Sequence, residues 1–163
     1  MKIIFLDIDG VLNCRSTPNP RKLPYVVDRR LLQRFRRLLD RTGAKVVLSS
    51  TWRYDPAGLW SAKYWGIPFI DVIPDMPKKP RCKEIQAWLK KHPRVKRFVV
   101  IDDEDDELDE LPLFQPSPAT GLTATICTGI AKYLEGEIEH DMRRNALVRK
   151  IQNIRAALAG HQG

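Results

Sequence analysis

The sequence predicts a three-layer α/β domain built on a central parallel sheet, and three observations predict it. Apolar runs rich in β-branched residues, Ile3 to Leu6, Val46 to Leu48 and Phe98 to Ile101, have the unbroken hydrophobicity of strands covered on both faces. Segments with helical apolar spacing alternate with these runs, which is the order of a parallel α/β sheet. The chain has 163 residues, about one domain at roughly 150 residues each, and enough to bury a core without disulfide or metal staples.

Each element follows in order. Lys2 to Asp7 reads as a buried strand closed by Gly10. Asp28 is a helix cap, after which Leu31, Leu32, Phe35, Leu38 and Leu39 repeat at helical spacing until Gly43. Lys45 to Leu48 is a second strand, Pro56 to Trp65 a helix stopped by Gly66, and Ile67 to Ile70 a short strand. Pro74, Pro77 and Pro80 mark a loop before a helix from about Cys82 to Lys91, with Ile85, Trp88 and Leu89 on its apolar side. Phe98 to Ile101 is the next strand, and Leu111 to Gln115 reads as a fifth, followed by a turn at Gly121-Leu122-Thr123 and a helix to about Leu134. From Glu137 onward, Leu147, Ile151, Ile154 and Leu158 draw an amphipathic stripe. The expected division is a domain at residues 1–135 and a helical extension at 136–163, packed on the domain or on a partner, including a second copy.

Composition narrows the function. Hydrophobic residues at 43% and charged residues at 29% are globular values, so disorder and coiled coil do not describe the whole chain. No apolar run is long enough to span a bilayer, and the N-terminus does not read as a signal peptide. Three cysteines, Cys14, Cys82 and Cys127, fit neither a disulfide framework nor a zinc site and suit a reducing, cytoplasmic setting. Only three histidines, His92, His140 and His161, are scattered in polar sequence, so Ser-His-Asp chemistry lacks material. The net charge is +8, from 28 basic and 20 acidic residues, which suggests a polyanionic partner such as RNA or DNA. Arg15 to Lys45 holds ten Lys/Arg against Asp28 and Asp40, and Lys78 to Arg97 holds nine against Glu84. By contrast, eight of the nine residues from Asp102 to Glu110 are acidic, a concentration that needs solvent or a cation.

Polar residues fall where the predicted strands end, the place where open parallel sheets bind ligands. A carboxylate buried there alone is costly, so Asp7 implies a positive partner. Its carboxylate can attack phosphorus, and Asp9, two residues on, can protonate the leaving oxygen and then deprotonate water. Mg2+ suits the hard oxygens that Asp7, Asp103 and the Asp9 carbonyl offer. The Ser49 hydroxyl can hold a phosphoryl oxygen, and the Lys83 ammonium can neutralise developing charge.

Phe5-Leu6-Asp7-Ile8-Asp9-Gly10-Val11-Leu12, Leu48-Ser49-Ser50-Thr51-Trp52-Arg53, Lys83 and Val100-Ile101-Asp102-Asp103 resemble, in order and spacing, the four motifs of haloacid-dehalogenase-superfamily phosphatases. The Asp-Gly-Val-Leu-Asn opening, Ser-Ser-Thr-Trp-Arg and Gly121-Leu122-Thr123 look like the small phosphatase-type domains of bacterial and phage RNA-repair proteins. The resemblance spans roughly residues 1–135 and implies a Rossmann-like fold. It also implies Asp7 as nucleophile, Asp9 as acid/base, Ser49 as phosphate binder, Lys83 as charge neutraliser and Asp103 as metal ligand, with Asp102 in support and Asp7 and Asp9 completing the Mg2+ site. Lys78, Lys79 and Lys90 compete with Lys83, which is preferred for its place at the helix start. The acidic run leaves the register of the fourth motif open, with Asp106 or Glu107 available to fix metal-bound water.

Gly10, Ser50 and Arg53 complete the expected substrate contacts. Only eighteen residues separate Asp9 from Asp28, too few for a folded cap, so a capless crevice is expected. Arg15, Arg21, Lys22, Arg53, Lys78, Lys79 and Arg81 lie in sequence beside it and suit a phosphate-rich chain. Trp52, Tyr54, Trp60, Tyr64 and Trp65 admit base stacking, but core packing is the preferred reading. The expected activity is Mg2+-dependent hydrolysis of a phosphomonoester at a nucleic-acid end. The alternatives are a phosphatase of a small phosphometabolite, nucleotide or phosphoprotein, and a nucleic-acid-binding module without turnover.

Overall fold

The structure is a computed structural model that describes residues 1–105 and 107–139. In chain order it contains β1 (Lys2–Leu6), α1 (Arg29–Thr42), β2 (Lys45–Leu48), α2 (Pro56–Tyr64), β3 (Phe69–Val72), α3 (Arg81–Lys91), β4 (Arg97–Ile101), β5 (Leu113–Phe114) and α4 (Ala124–Glu135). Short 3-10 turns occupy Thr51–Tyr54 and Leu108–Glu110. The sheet has five strands in the order β3-β2-β1-β4-β5, all parallel. This is the parallel α/β arrangement that the alternating pattern predicts, in the Rossmann-like form that the resemblance implies.

The unbroken apolar strands are explained by two cores, one on each face of the sheet. Ile4 and Leu6 of β1 join Val46, Leu48, Val99 and Ile101, under Leu32 and Phe35 of α1, Ala62 of α2 and Ile130 of α4. Ile3 and Phe5 point the other way, to Val47, Val100, Ile85 and Trp88 of α3. Each such Val, Leu, Ile or Phe side chain contributes about 1.5–3 kcal/mol when fully buried.

Local chemistry sets the helix ends. The Asp28 carboxylate accepts from the Arg30 N–H at 2.9 Å to start α1, and Gly43 ends it with φ 65°. Asp55 and Thr123 cap α2 and α4 in the same manner. The third strand begins at Phe69 and not at Ile67, because the Ile67 N–H closes α2 on the Ala62 carbonyl at 3.0 Å and Pro68 has no N–H to offer. On this outer strand the Asp71 carboxylate takes the Val72 N–H at 2.9 Å and the Trp88 indole N–H at 2.7 Å. The fifth strand shrinks to two residues.

No helix or strand occurs in residues 7–28 or 73–80, so nothing among the described residues covers the sheet's carboxyl end as a folded cap. None of the described helices is long and apolar enough to cross a membrane. Residues 137–139 are not helical. The stripe of the expected final helix from Leu147 to Leu158, its packing or dimerisation, Asp106, His140 and His161 lie outside the described residues.

Candidate active site

The sheet ladder continues one residue past each central strand. Leu6 pairs with Leu48 and Ile101, and beyond them the Asp7 N–H reaches the Ile101 carbonyl at 2.9 Å while the Ser49 N–H reaches Leu6 at 3.0 Å. Asp7, Ser49 and Asp102 therefore stand side by side along the carboxyl lip. Carboxylate oxygens of Asp7, Asp102 and Asp103 all fall within 4.8 Å of one another. Asp7 and Asp102 are buried. Burial, helped by the charge of Asp102, pushes the Asp7 carboxyl up to about 8, against the pull of Arg81 and the Ser50 hydroxyl. Burial also raises Asp102 and the half-buried Asp103.

The Arg81 guanidinium donates to the Asp102 carboxylate. One such cation leaves a cluster of three carboxylates under-neutralised, and an all-oxygen donor set of this kind fits a hard divalent cation. Gly10 makes room for the cluster: at φ 70°, a β-carbon there would overlap the Asp103 carboxylate.

Asp9 is held from two sides. Its Oδ1 accepts from Asn13 Nδ2 at 2.8 Å and its Oδ2 from Trp52 Nε1 at 2.9 Å. Asn13 also donates to the Val26 carbonyl at 2.9 Å and accepts the Gly10 N–H at 2.9 Å, so it ties the loop that carries Asp9. Two donors on a carboxylate fix its orientation, at about 1.5–3 kcal/mol per charged hydrogen bond.

Several expected contacts are rearranged. Lys83 is exposed and its ammonium bonds Gln86 Oε1 at 3.3 Å, away from the acids. Residues two apart on a helix point about 200° from one another, so α3 can turn Arg81 or Lys83 toward the lip but not both. Arg53 does not reach outward. Its side chain is 3% exposed and pairs with Glu84, which is 4% exposed. Arg53 also donates to the carbonyls of Ser49 at 2.6 Å and Ser50 at 3.1 Å, while Glu84 accepts the Met76 N–H at 3.0 Å. The pair is thus a strut between the loop after β2 and the start of α3. The Gly10 amide, bound to Asn13, is not open to substrate. Of the two serines, Ser50 Oγ accepts the Trp52 N–H at 3.4 Å, whereas the buried Ser49 Oγ has no hydrogen-bond partner among the described residues.

Sequence reasoning missed the roles of Asn13, Trp52 and Glu84, and read Arg81 only as one of the basic residues beside the crevice and not as the partner of Asp102. Glu84 carried a signal, as the sole acid within a stretch of nine cations. Trp52 is buried as expected of a core residue, yet its indole N–H serves Asp9. Tyr54, Trp60 and Tyr64 overturn the core-packing expectation, being 53%, 64% and 71% exposed.

A parallel three-layer domain with an uncapped acidic lip of this kind defines a haloacid-dehalogenase-type fold. The chain belongs to the family described as the HAD domain in Swiss Army Knife RNA repair proteins, which it matches over residues 3–126. No curated protein matches the sequence.

Proposed function

We propose that the chain is a Mg2+-dependent phosphomonoester hydrolase acting through an aspartyl-phosphate intermediate, with the terminal phosphate of a nucleic-acid strand as substrate. The convergence of Asp7, Asp102 and Asp103, with Asp9 oriented by two donors, carries this reading.

An Asp7 carboxylate oxygen attacks phosphorus, the bond from phosphorus to the ester oxygen breaks, and Asp9 gives its proton to that oxygen. Asp9 then takes a proton from water as the water oxygen attacks the same phosphorus; the bond to Asp7 breaks and inorganic phosphate leaves. A lip hydroxyl, from Ser49 or Ser50, donates to a phosphoryl oxygen, and Arg81 sets positive charge beside the acids. Asp7, Asp103 and Asp102, with the Asp9 carbonyl, would hold Mg2+, which when bound would supply charge to screen the anionic ester from the anionic nucleophile. Arg53 and Glu84 keep the two loops in register.

The nucleic-acid end is supported by the +8 net charge, by the uncapped lip and by the RNA-repair setting that names the family. The three free cysteines suit a reducing cytoplasm. A phosphate-release screen with Mg2+ titration tests the reading on a 3′-phosphorylated oligonucleotide, a nucleotide, a sugar phosphate and a phosphopeptide. Turnover of the oligonucleotide that vanishes in Asp7→Asn supports it. Turnover surviving in that variant removes the covalent step, and tight RNA binding without phosphate release from any substrate replaces the enzyme with a binding module.

A further inference from the structure

Helix α2 carries its largest rings on the outside. Trp60 and Tyr64, one turn apart, are stacked with centroids 5.2 Å apart and planes 15° from parallel. A stacked pair this exposed contributes little to the fold and presents flat apolar faces to solvent. Tyr64 and Trp65 form one wall of a groove of about 710 Å³ whose opposite wall is Arg29, Gln33 and Arg36 of α1. Arg36 donates to the carbonyls of Trp65 and Gly66, and among the described residues neither Arg29 nor Arg36 is paired with a carboxylate.

This groove shares Arg29 and Trp65 with a second, of about 680 Å³, which passes Arg30 and ends on Ser16 to Pro18. That segment begins three residues along the chain from Asn13, the residue that holds Asp9. The two grooves together run along the cleft between α1 and α2, with Arg29, Arg36 and the Asp28-paired Arg30 along one side and Tyr64 and Trp65 along the other.

We propose that this path is the binding track for the single-stranded RNA that carries the terminal phosphate, with the Trp60–Tyr64 pair stacking an unpaired base and Arg29 and Arg36 meeting the backbone. The proposal rests on the phosphatase reading of the lip and adds how the strand is held. Unpaired bases offer the π faces that such rings stack, whereas a duplex hides them. Cations beside the rings complement a polyanion and not a second copy of this basic chain.

Anisotropy titration of the full chain with a fluorescein-labelled oligouridylate, single-stranded and as a duplex, tests the track. The double variant Trp60→Ala/Tyr64→Ala is expected to weaken single-strand binding at least about tenfold while leaving hydrolysis of p-nitrophenyl phosphate unchanged. Arg29→Ala is expected to reduce the salt slope of log K by about 0.7. No binding, an unchanged Kd in the double variant, or tighter binding of the duplex overturns the track. So does self-association by sedimentation that depends on Trp60 and Tyr64 while RNA binding does not. Phosphate release keeps the two readings apart. A 3′-phosphorylated strand bound through the rings but never hydrolysed defeats the phosphatase and spares the track. Equal kcat/KM on a long strand and a dinucleotide defeats the track and spares the phosphatase.

Discussion

Arg81 and Lys83 sit two residues apart on one helix, and the structure gives them opposite surroundings. Arg81 meets Asp102 at the lip, and Lys83 meets Gln86 in solvent. Arg81→Ala should therefore lower kcat/KM by about a hundredfold or more, as loss of a charge-stabilising donor does, whereas Lys83→Ala should stay within about twofold of wild type under the same steady-state assay. The buried acids make a second, thermodynamic statement. The Asp7 carboxyl lies near 8 in the folded chain, above its ordinary 3.8, so folding takes up a proton between these values. Stability of the metal-free protein should fall as pH rises from about 4 to about 8, and Mg2+ should restore most at the upper end. Tm measured against pH with and without Mg2+ checks this, and Asp7→Asn should flatten the metal-free curve. The place of Asp7, Ser49, Asp102 and Asp103 at the lip was legible because the ends of predicted strands mark it. Arg81 was not, since choosing among closely spaced cations requires the rotational phase of α3. Asn13 and Trp52 were hidden for another reason: nothing in a linear pattern reports that two loops meet on Asp9.

At the scale of elements, the Arg53–Glu84 strut joins the turn after β2 to the first turn of α3. Removing one member leaves a buried charge alone, so Glu84→Ala should cost about 3–5 kcal/mol in chemical denaturation. Turnover should drop with it, since Arg53 also grips the Ser49 and Ser50 carbonyls and Glu84 the Met76 amide. Trp52→Phe is gentler: it keeps the ring in the core and deletes one hydrogen bond to Asp9, so kcat should fall about tenfold, the equivalent of 1.4 kcal/mol, with KM little changed. Strands β1, β2 and β4 were legible because burial on both faces writes itself as continuous hydrophobicity. Strand β3 was displaced by two residues in the sequence reading because Ile67 is buried, as a strand residue would be, but spends its N–H on α2.

For the whole molecule, a chain of net charge +8 carries a lip whose acids come from the end of β1 and from the head of the acidic run. A strand bound largely through phosphates should show a KM that climbs steeply with salt, while KM for a small aryl phosphate moves little. Steady-state assays across a salt series compare the two. The order of the strands could be inferred only as parallel alternation, since a single sequence does not say which neighbour each strand takes. Finally, the outer flank of β3 has a consequence for behaviour at high concentration. With the Val72 amide already satisfied by Asp71 and the opposite flank ending in a two-residue strand, neither margin offers an incoming polypeptide a long row of open amides. Such blunt margins disfavour runaway stacking into fibrils, so concentrated preparations should stay free of thioflavin-positive aggregates, and Asp71→Val should be the substitution that brings them on.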